Sequence, residues 1–213
     1  MRKLSALILF SIYLVTGCRA FTFQKGDLLF LTEGVSSFSE AIASSTGKND
    51  SVRLVHVGMV CDPDSGGNEG VIIIEASPQE GVRKIGLTDF IKHASLIDGK
   101  PGIIVKRLKD SFPLDEAIER AETRLGEEYD WYYLPDNGMT YCSELIYDSY
   151  LDSEGAHIFT AYPMNFRRAD GTMPEFWTDL YNKLGVDVPE GIPGTNPNDM
   201  SKDIKLIEVY RFF

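Results

Sequence analysis

The sequence predicts an α+β domain, a mainly antiparallel sheet with helices packed on it, and three observations lead there. Two β-branched-rich runs, 52–60 and 71–76, flank a dense cluster of turn formers from Asp62 to Asn68, which reads as a hairpin. Residues 113–125 carry apolar side chains at helical spacing, with Pro113 at the start and Gly126 as a stop. A second helix is expected over 142–151, and a closing strand over 204–212.

Taken in order, Arg2 and Lys3 precede a short apolar run from Leu4 to Val15, and Val15-Thr16-Gly17-Cys18 follows. That run is too short to span a bilayer, so residues 1–17 read as a removed leader. The four-residue segment resembles a bacterial lipoprotein processing site, in which Cys18 becomes the lipidated N-terminus. An ordinary signal peptide with a coincidental cysteine is the plainer alternative. Residues 18–25 then form a tether and 26–213 a single domain. An exported protein on the periplasmic or cell-surface side of a membrane is expected, held by its lipid.

Gly26 to Leu31 reads as a strand and Ser36 to Thr46 as a short helix or lid-like loop. Further strands are expected at 81–85 and 102–108, with a short helix over 87–94 between them. In the helix from Pro113, Asp115 and Glu116 complement the positive end of the dipole, and Ala117, Ile118, Ala121 and Leu125 share a face. From Ala169 onward helix and loop signals mix.

Composition narrows the function. Of 213 residues, 43% are hydrophobic and 25% charged, as in ordinary globular domains. A formal net charge of −11 argues against nucleic acid and anionic headgroups as partners, since both need a basic face. With Cys18 set aside, Cys61 and Cys142 are too few for a disulfide framework. They either pair with each other in an oxidising compartment or leave a functional thiol free. No Cys/His pair has metal-ligand spacing, and no cofactor is implied.

The chemistry-bearing residues lie in the hairpin and in the second helix. If the hairpin is symmetric about Ser65-Gly66, His56 and Glu75 stand opposite each other on one face, His56 sharing it with Leu54, Gly58 and Val60. A carboxylate there fixes the imidazole tautomer and stabilises its cation. Cys142 begins the helix after a loop of Pro135, Asp136, Asn137 and Gly138, with Thr140 as the expected N-cap and Glu144 near the positive end. A helix start favours a thiolate, and its free N–H groups suit an oxyanion. Each residue also has a plainer reading: His56 a strand histidine bonded to backbone, Glu75 an edge charge, Cys142 a small buried hydrophobe. Tyr141 and Ser143 are candidates for oxyanion or substrate contacts, Tyr141 equally for packing. His93 and His157 have no partner to place.

The motifs Gly26-Asp27-Leu28-Leu29-Phe30, His56-Val57-Gly58-Met59-Val60, Ile74-Glu75-Ala76, Gly126 with Tyr129-Asp130, Tyr141-Cys142-Ser143-Glu144-Leu145 and Pro193-Gly194-Thr195-Asn196-Pro197 occur in that order. In this order the chain resembles the YiiX/YebB-like branch of the NlpC superfamily, circularly permuted papain-like amidases in which the histidine strand precedes the cysteine helix. The resemblance implies Cys142 as nucleophile, His56 as base and Glu75 as third polar residue. It also implies hydrolysis of an amide or related acyl bond through a thioester. Peptide stems of peptidoglycan are the first substrate expected. A lipid amide or ester hydrolase, or an acyltransferase, is the alternative, with Trp131, Tyr132, Tyr133 and Leu134 as an acyl-pocket wall. A non-catalytic ligand-binding lipoprotein is the reading of a different class. The segment between Thr32 and Val52 does not align with the pattern, and Cys61 lies outside it.

Overall fold

The computed structural model describes residues 21–64 and 70–213. The leader, Cys18 and the turn at 65–69 therefore lie outside the described residues. In chain order come β1 (Leu28–Thr32), α1 (Ser37–Thr46), β2 (Leu54–Asp62), β3 (Ile72–Ser77), β4 (Gly81–Gly86) and α2 (Leu87–Lys92). A two-residue ribbon, β5 (Leu96–Ile97) with β6 (Lys100–Pro101), leads into β7 (Ile103–Leu108), α3 (Leu114–Thr123) and α4 (Cys142–Ser149). The chain ends with β8 (Tyr162–Pro163), α5 (Glu175–Leu184), β9 (Pro193–Gly194), α6 (Pro197–Ser201) and β10 (Leu206–Arg211).

Six strands form one antiparallel sheet in the order β10-β7-β1-β2-β3-β4. Both faces are covered, which is why β1 reads as a nearly unbroken apolar run rather than an alternation. On one face Phe30, Val57, Met59 and Ile74 pack with Ala117 and Ala121 of α3 and with Leu145 and Ile146 of α4. On the other, Leu29, Leu31, Val60 and Ile73 pack with Phe90 of α2, and Phe21 and Phe23 lie along them.

The motif Gly26-Asp27 finds its reason at the start of β1. Gly26 takes φ +76°, open to glycine without strain. Its carbonyl accepts from Tyr150 Oη at 3.0 Å. The fully buried Asp27 carboxylate is gripped by Arg107 of β7, Nε to Oδ1 at 2.6 Å and Nη2 to Oδ2 at 2.8 Å. A bidentate pair of this kind fixes register as well as charge.

Some expectations need correction. Pro113 caps α3 from outside rather than sitting in its first turn, and the helix stops at Thr123. Leu125 is therefore beyond the helix and exposed instead of sharing the buried face. The N-cap of α4 is Tyr141, not Thr140. Thr140 is occupied elsewhere: its hydroxyl donates to Glu127 Oε2 at 2.6 Å and accepts from Arg124 at 2.8 Å. Glu144 Oε2 instead accepts from the Tyr141 N–H at 3.3 Å, half of a capping box.

The hairpin register differs too. Met59 pairs with Ile74 and Val60 with Ile73, and a bulge then places Ile72 against Asp62, leaving Cys61 as the extra residue. Carried along the strands, this sets Glu75 opposite Gly58, two residues from the expected partner. A second bulge, between β1 and β2, puts Leu31 against His56 and Thr32 against Leu54. It breaks the alternation at Val55, so Leu54 joins Val57 and Met59 in the helix-side core rather than sharing a face with Val60.

Candidate active site

An offset of two preserves the face of a strand, because side chains alternate with period two. His56 and Glu75 therefore meet as diagonal neighbours, with Nε2 and Oε2 2.6 Å apart. Gly58 lies in the same row and has no side chain. A Cβ there would come within 2.7 Å of Ile73 and 2.9 Å of Phe90. Its absence lets Phe90 pack beside His56, ring centroids 5.9 Å apart. The bulge beside His56 bends β2 here, a device by which sheets re-aim one side chain.

Glu75 has a further partner that sequence reasoning missed. Arg83 of β4 is its register mate, and donates to Oε1 from Nε at 2.9 Å with Nη2 at 2.8 Å. The signal was available: Ser77 pairs with Gly81 across a short turn, and counting back from it sets Glu75 against Arg83. Three neighbouring strands thus supply a row of imidazole, carboxylate and guanidinium. The Glu75 side chain is 1% exposed and that of His56 14%. Burial alone would raise the Glu75 carboxyl, but His56 and Arg83 outweigh it and hold it at about 2. Burial alone would depress His56, but the nearby Cys142 thiol and the bonded Glu75 push it up to about 10. With Nε2 engaged by Glu75, Nδ1 is the nitrogen left for the sulfur.

Cys142 is the first residue of α4 and is buried. The first intrahelical bond from this end runs from the Leu145 N–H to the Tyr141 carbonyl. The N–H groups of Cys142, Ser143 and Glu144 consequently have no acceptor within the helix, and the dipole's positive end is at the sulfur. Leu145 and Ile146, fully buried, anchor the helix to the sheet behind it. Glu144 is pushed up to about 8, chiefly by burial and then by Asp148 and Asp130.

Tyr141 and Ser143 both engage the segment after β9. The Thr195 N–H donates to Tyr141 Oη at 3.1 Å, and Thr195 Oγ1 to Ser143 Oγ at 3.0 Å. Asn198 pins the start of β2, accepting from the Leu54 N–H at 2.8 Å and donating to its carbonyl at 2.6 Å. The late motif Pro193–Pro197 thus lies against the cysteine helix, with α6 beside it tying β2. Cys61 and Cys142 are both free, and the Cys61 thiol is directed at the Ile72 carbonyl, 3.5 Å away. His93 ends α2, and His157 stacks on Tyr147 at 3.8 Å; no bond joins either of them to His56 or Cys142.

Two hollows flank the site and share Ile42, Val55 and Tyr129 in their linings. One, of about 50 Å³, is lined by Cys142, Ser143, Tyr133, Tyr141, Phe166 and Trp177 among others. The other is a groove of about 290 Å³ containing His56, Glu75 and His93. Of the four residues expected as an acyl-pocket wall, only Tyr133 lines the first hollow; Phe166 and Trp177 come from segments with no readable spacing to the cysteine. A larger polar cleft of about 910 Å³ surrounds Lys84 and Glu122 and reaches Cys61, not Cys142.

A helix beginning at a thiol, packed on a sheet that carries an imidazole bonded to a carboxylate, met in the order histidine then cysteine, is the layout of a permuted papain-like cysteine hydrolase. The family of permuted papain-like amidase enzymes, YaeF/YiiX (C92), matches residues 22–210, and the chain belongs to it. The fold is similar to the crystal structure of metalloprotein YiiX from Escherichia coli O157:H7, with a TM-score of 0.67 and 22% identity over 91% of this chain and 99% of that one. Comparison with curated proteins gives no match. Although that relative is described as a metalloprotein, no group of three or more His, Cys, Asp or Glu among the described residues is gathered to hold a metal ion.

Proposed function

We propose that the protein hydrolyses an amide or related acyl bond through a thioester on Cys142, with His56 as general base and acid and Glu75 orienting it. The observation that carries this reading is the 2.6 Å bond between His56 and Glu75, with the Cys142 sulfur near enough to the imidazole to raise its pKa. The sulfur attacks the carbonyl carbon, and the oxyanion is stabilised by N–H groups at the start of α4. His56 gives its proton to the leaving nitrogen as the C–N bond breaks. Water then attacks the thioester, His56 taking its proton, and the C–S bond breaks to release the acid. Arg83 holds Glu75 ionised and in place. Cys142→Ala is expected to abolish turnover of an amide library and the acyl-enzyme adduct in intact mass; equal turnover by both proteins sinks the reading.

We infer further that residues 1–17 direct export and that Cys18 carries the lipid, leaving the domain tethered to a membrane. The expected result is that wild type sediments with membranes and Cys18→Ser does not, with loss of the diacylglyceryl mass. Wild type recovered without lipid in the soluble fraction overturns it.

A further inference from the structure

We infer that the acyl half of the substrate is small and uncharged, two to four carbons long, while the leaving group is the larger part; this rests on the hydrolase reading above. The two hollows divide the substrate. Ile42, Val55 and Tyr129 line both, so the two hollows adjoin. The groove holds His56 and not Cys142, and the small cavity holds Cys142 and not His56. In thioester chemistry the imidazolium protonates the leaving nitrogen, so the leaving group must lie on the histidine side. What stays on sulfur lies on the other side, in the cavity beside Cys142.

That cavity limits what it accepts in size and in charge. Its volume of about 50 Å³ is a third of the roughly 150 Å³ that takes a benzene ring, room for about two or three heavy atoms beyond the carbonyl. Its wall combines aromatic rings with neutral polar groups such as Ser45, Ser143 and Asn165, and no Asp, Glu, Lys or Arg is found among its described lining residues. Its buried phenols, Tyr129, Tyr133 and Tyr141, are held neutral, their ionisation pushed up chiefly by burial. A carboxylate or free α-ammonium on the acyl group finds no counter-ion there. Acetyl to butyryl groups fit these terms; γ-glutamyl, diaminopimelyl and free aminoacyl groups do not, and neither does a long fatty chain. The groove, some six times larger and edged by Ser77, Gln79 and His93, suits a bulkier, polar amine.

The test uses one chromogenic amine acylated with straight chains of two to twelve carbons, with γ-glutamyl and with alanyl. Activated esters of the same acids are read in parallel by intact mass for labelling of Cys142. The expected kcat/KM peaks at two to four carbons, falls at least about tenfold by eight, and is at least about a hundredfold lower for both charged acyl groups. Met164→Ala, which enlarges the cavity wall, is expected to move the optimum to longer chains. An optimum at eight carbons or more, or γ-glutamyl turned over as well as butyryl, overturns the inference and leaves the hydrolase reading intact. If no donor labels Cys142, or Cys142→Ala turns over equally, the hydrolase reading falls and takes this inference with it.

Discussion

His56→Ala is expected to cut amide turnover about 10²–10⁴-fold and to slow iodoacetamide alkylation of Cys142 at pH 6 to the rate of Cys61. The two effects have one cause. At pH 6 the imidazole beside Cys142 is protonated, because Glu75 and the sulfur together hold its proton up to about 10. An imidazolium and a helix start both face the sulfur, and a thiolate is the reactive form of cysteine. Cys61 is the internal control: it is a second free thiol among the described residues, its ionisation pushed up by burial, with Lys84 and Glu122 rather than a histidine among the groups that act on it. Peptide mapping separates the two rates. Alkylation of Cys142 at the Cys61 rate in the wild type, or unchanged by the substitution, would overturn the claim that His56 activates the sulfur.

Glu75→Ala carries the largest expected cost in stability. It leaves Arg83 and a protonated His56 without their common partner, and breaking a buried ion pair from one side costs about 3–5 kcal/mol. For a chain of this size that corresponds to a fall in Tm on the order of 10 °C. The effect depends on pH in a defined way. Glu75 is held at about 2 against its ordinary 4.5, so its contribution is full above the ordinary value and is lost as pH falls towards about 2. His56 is raised from 6.5 to about 10, so its contribution is full below 6.5 and is lost as pH rises through about 10. The gap in Tm between wild type and Glu75→Ala is therefore widest between about pH 4.5 and 6.5 and narrows on both sides. A gap constant from pH 3 to pH 10, measured by calorimetry, would show that the two charges are not coupled.

Much of this site was legible in the chain, for reasons that can be named. Cys142 announced itself through a loop of helix breakers followed by Leu145 and Ile146. His56 and Glu75 did so through period two on strands whose apolar runs are long. The pairing of those two was found from a wrong register: the bulge at Cys61 shifts the strands by two, and an even shift keeps both residues on one face. An odd shift would have parted them. Arg83 was missed only because the next turn was not counted back to the same carboxylate. The cavity wall was mostly illegible, since Phe166 and Trp177 reach Tyr133 by long-range packing, at ring distances of 5.9 and 5.6 Å, that leaves no local period. The two-residue pairing of β8 with β9 is too short to carry a pattern at all.

The row His56–Glu75–Arg83 lies across three adjacent strands, and its thiol arrives on a helix far along the chain. On the proposed mechanism no contiguous stretch of sequence contains the reactive centre, so the thiol is latent until the sheet has closed and α4 has docked. A nascent or unfolded chain carries only ordinary thiols and an ordinary imidazole. Chemical competence and the global fold are thus a single cooperative property: in urea, the loss of fast Cys142 alkylation and the loss of sheet signal share one midpoint.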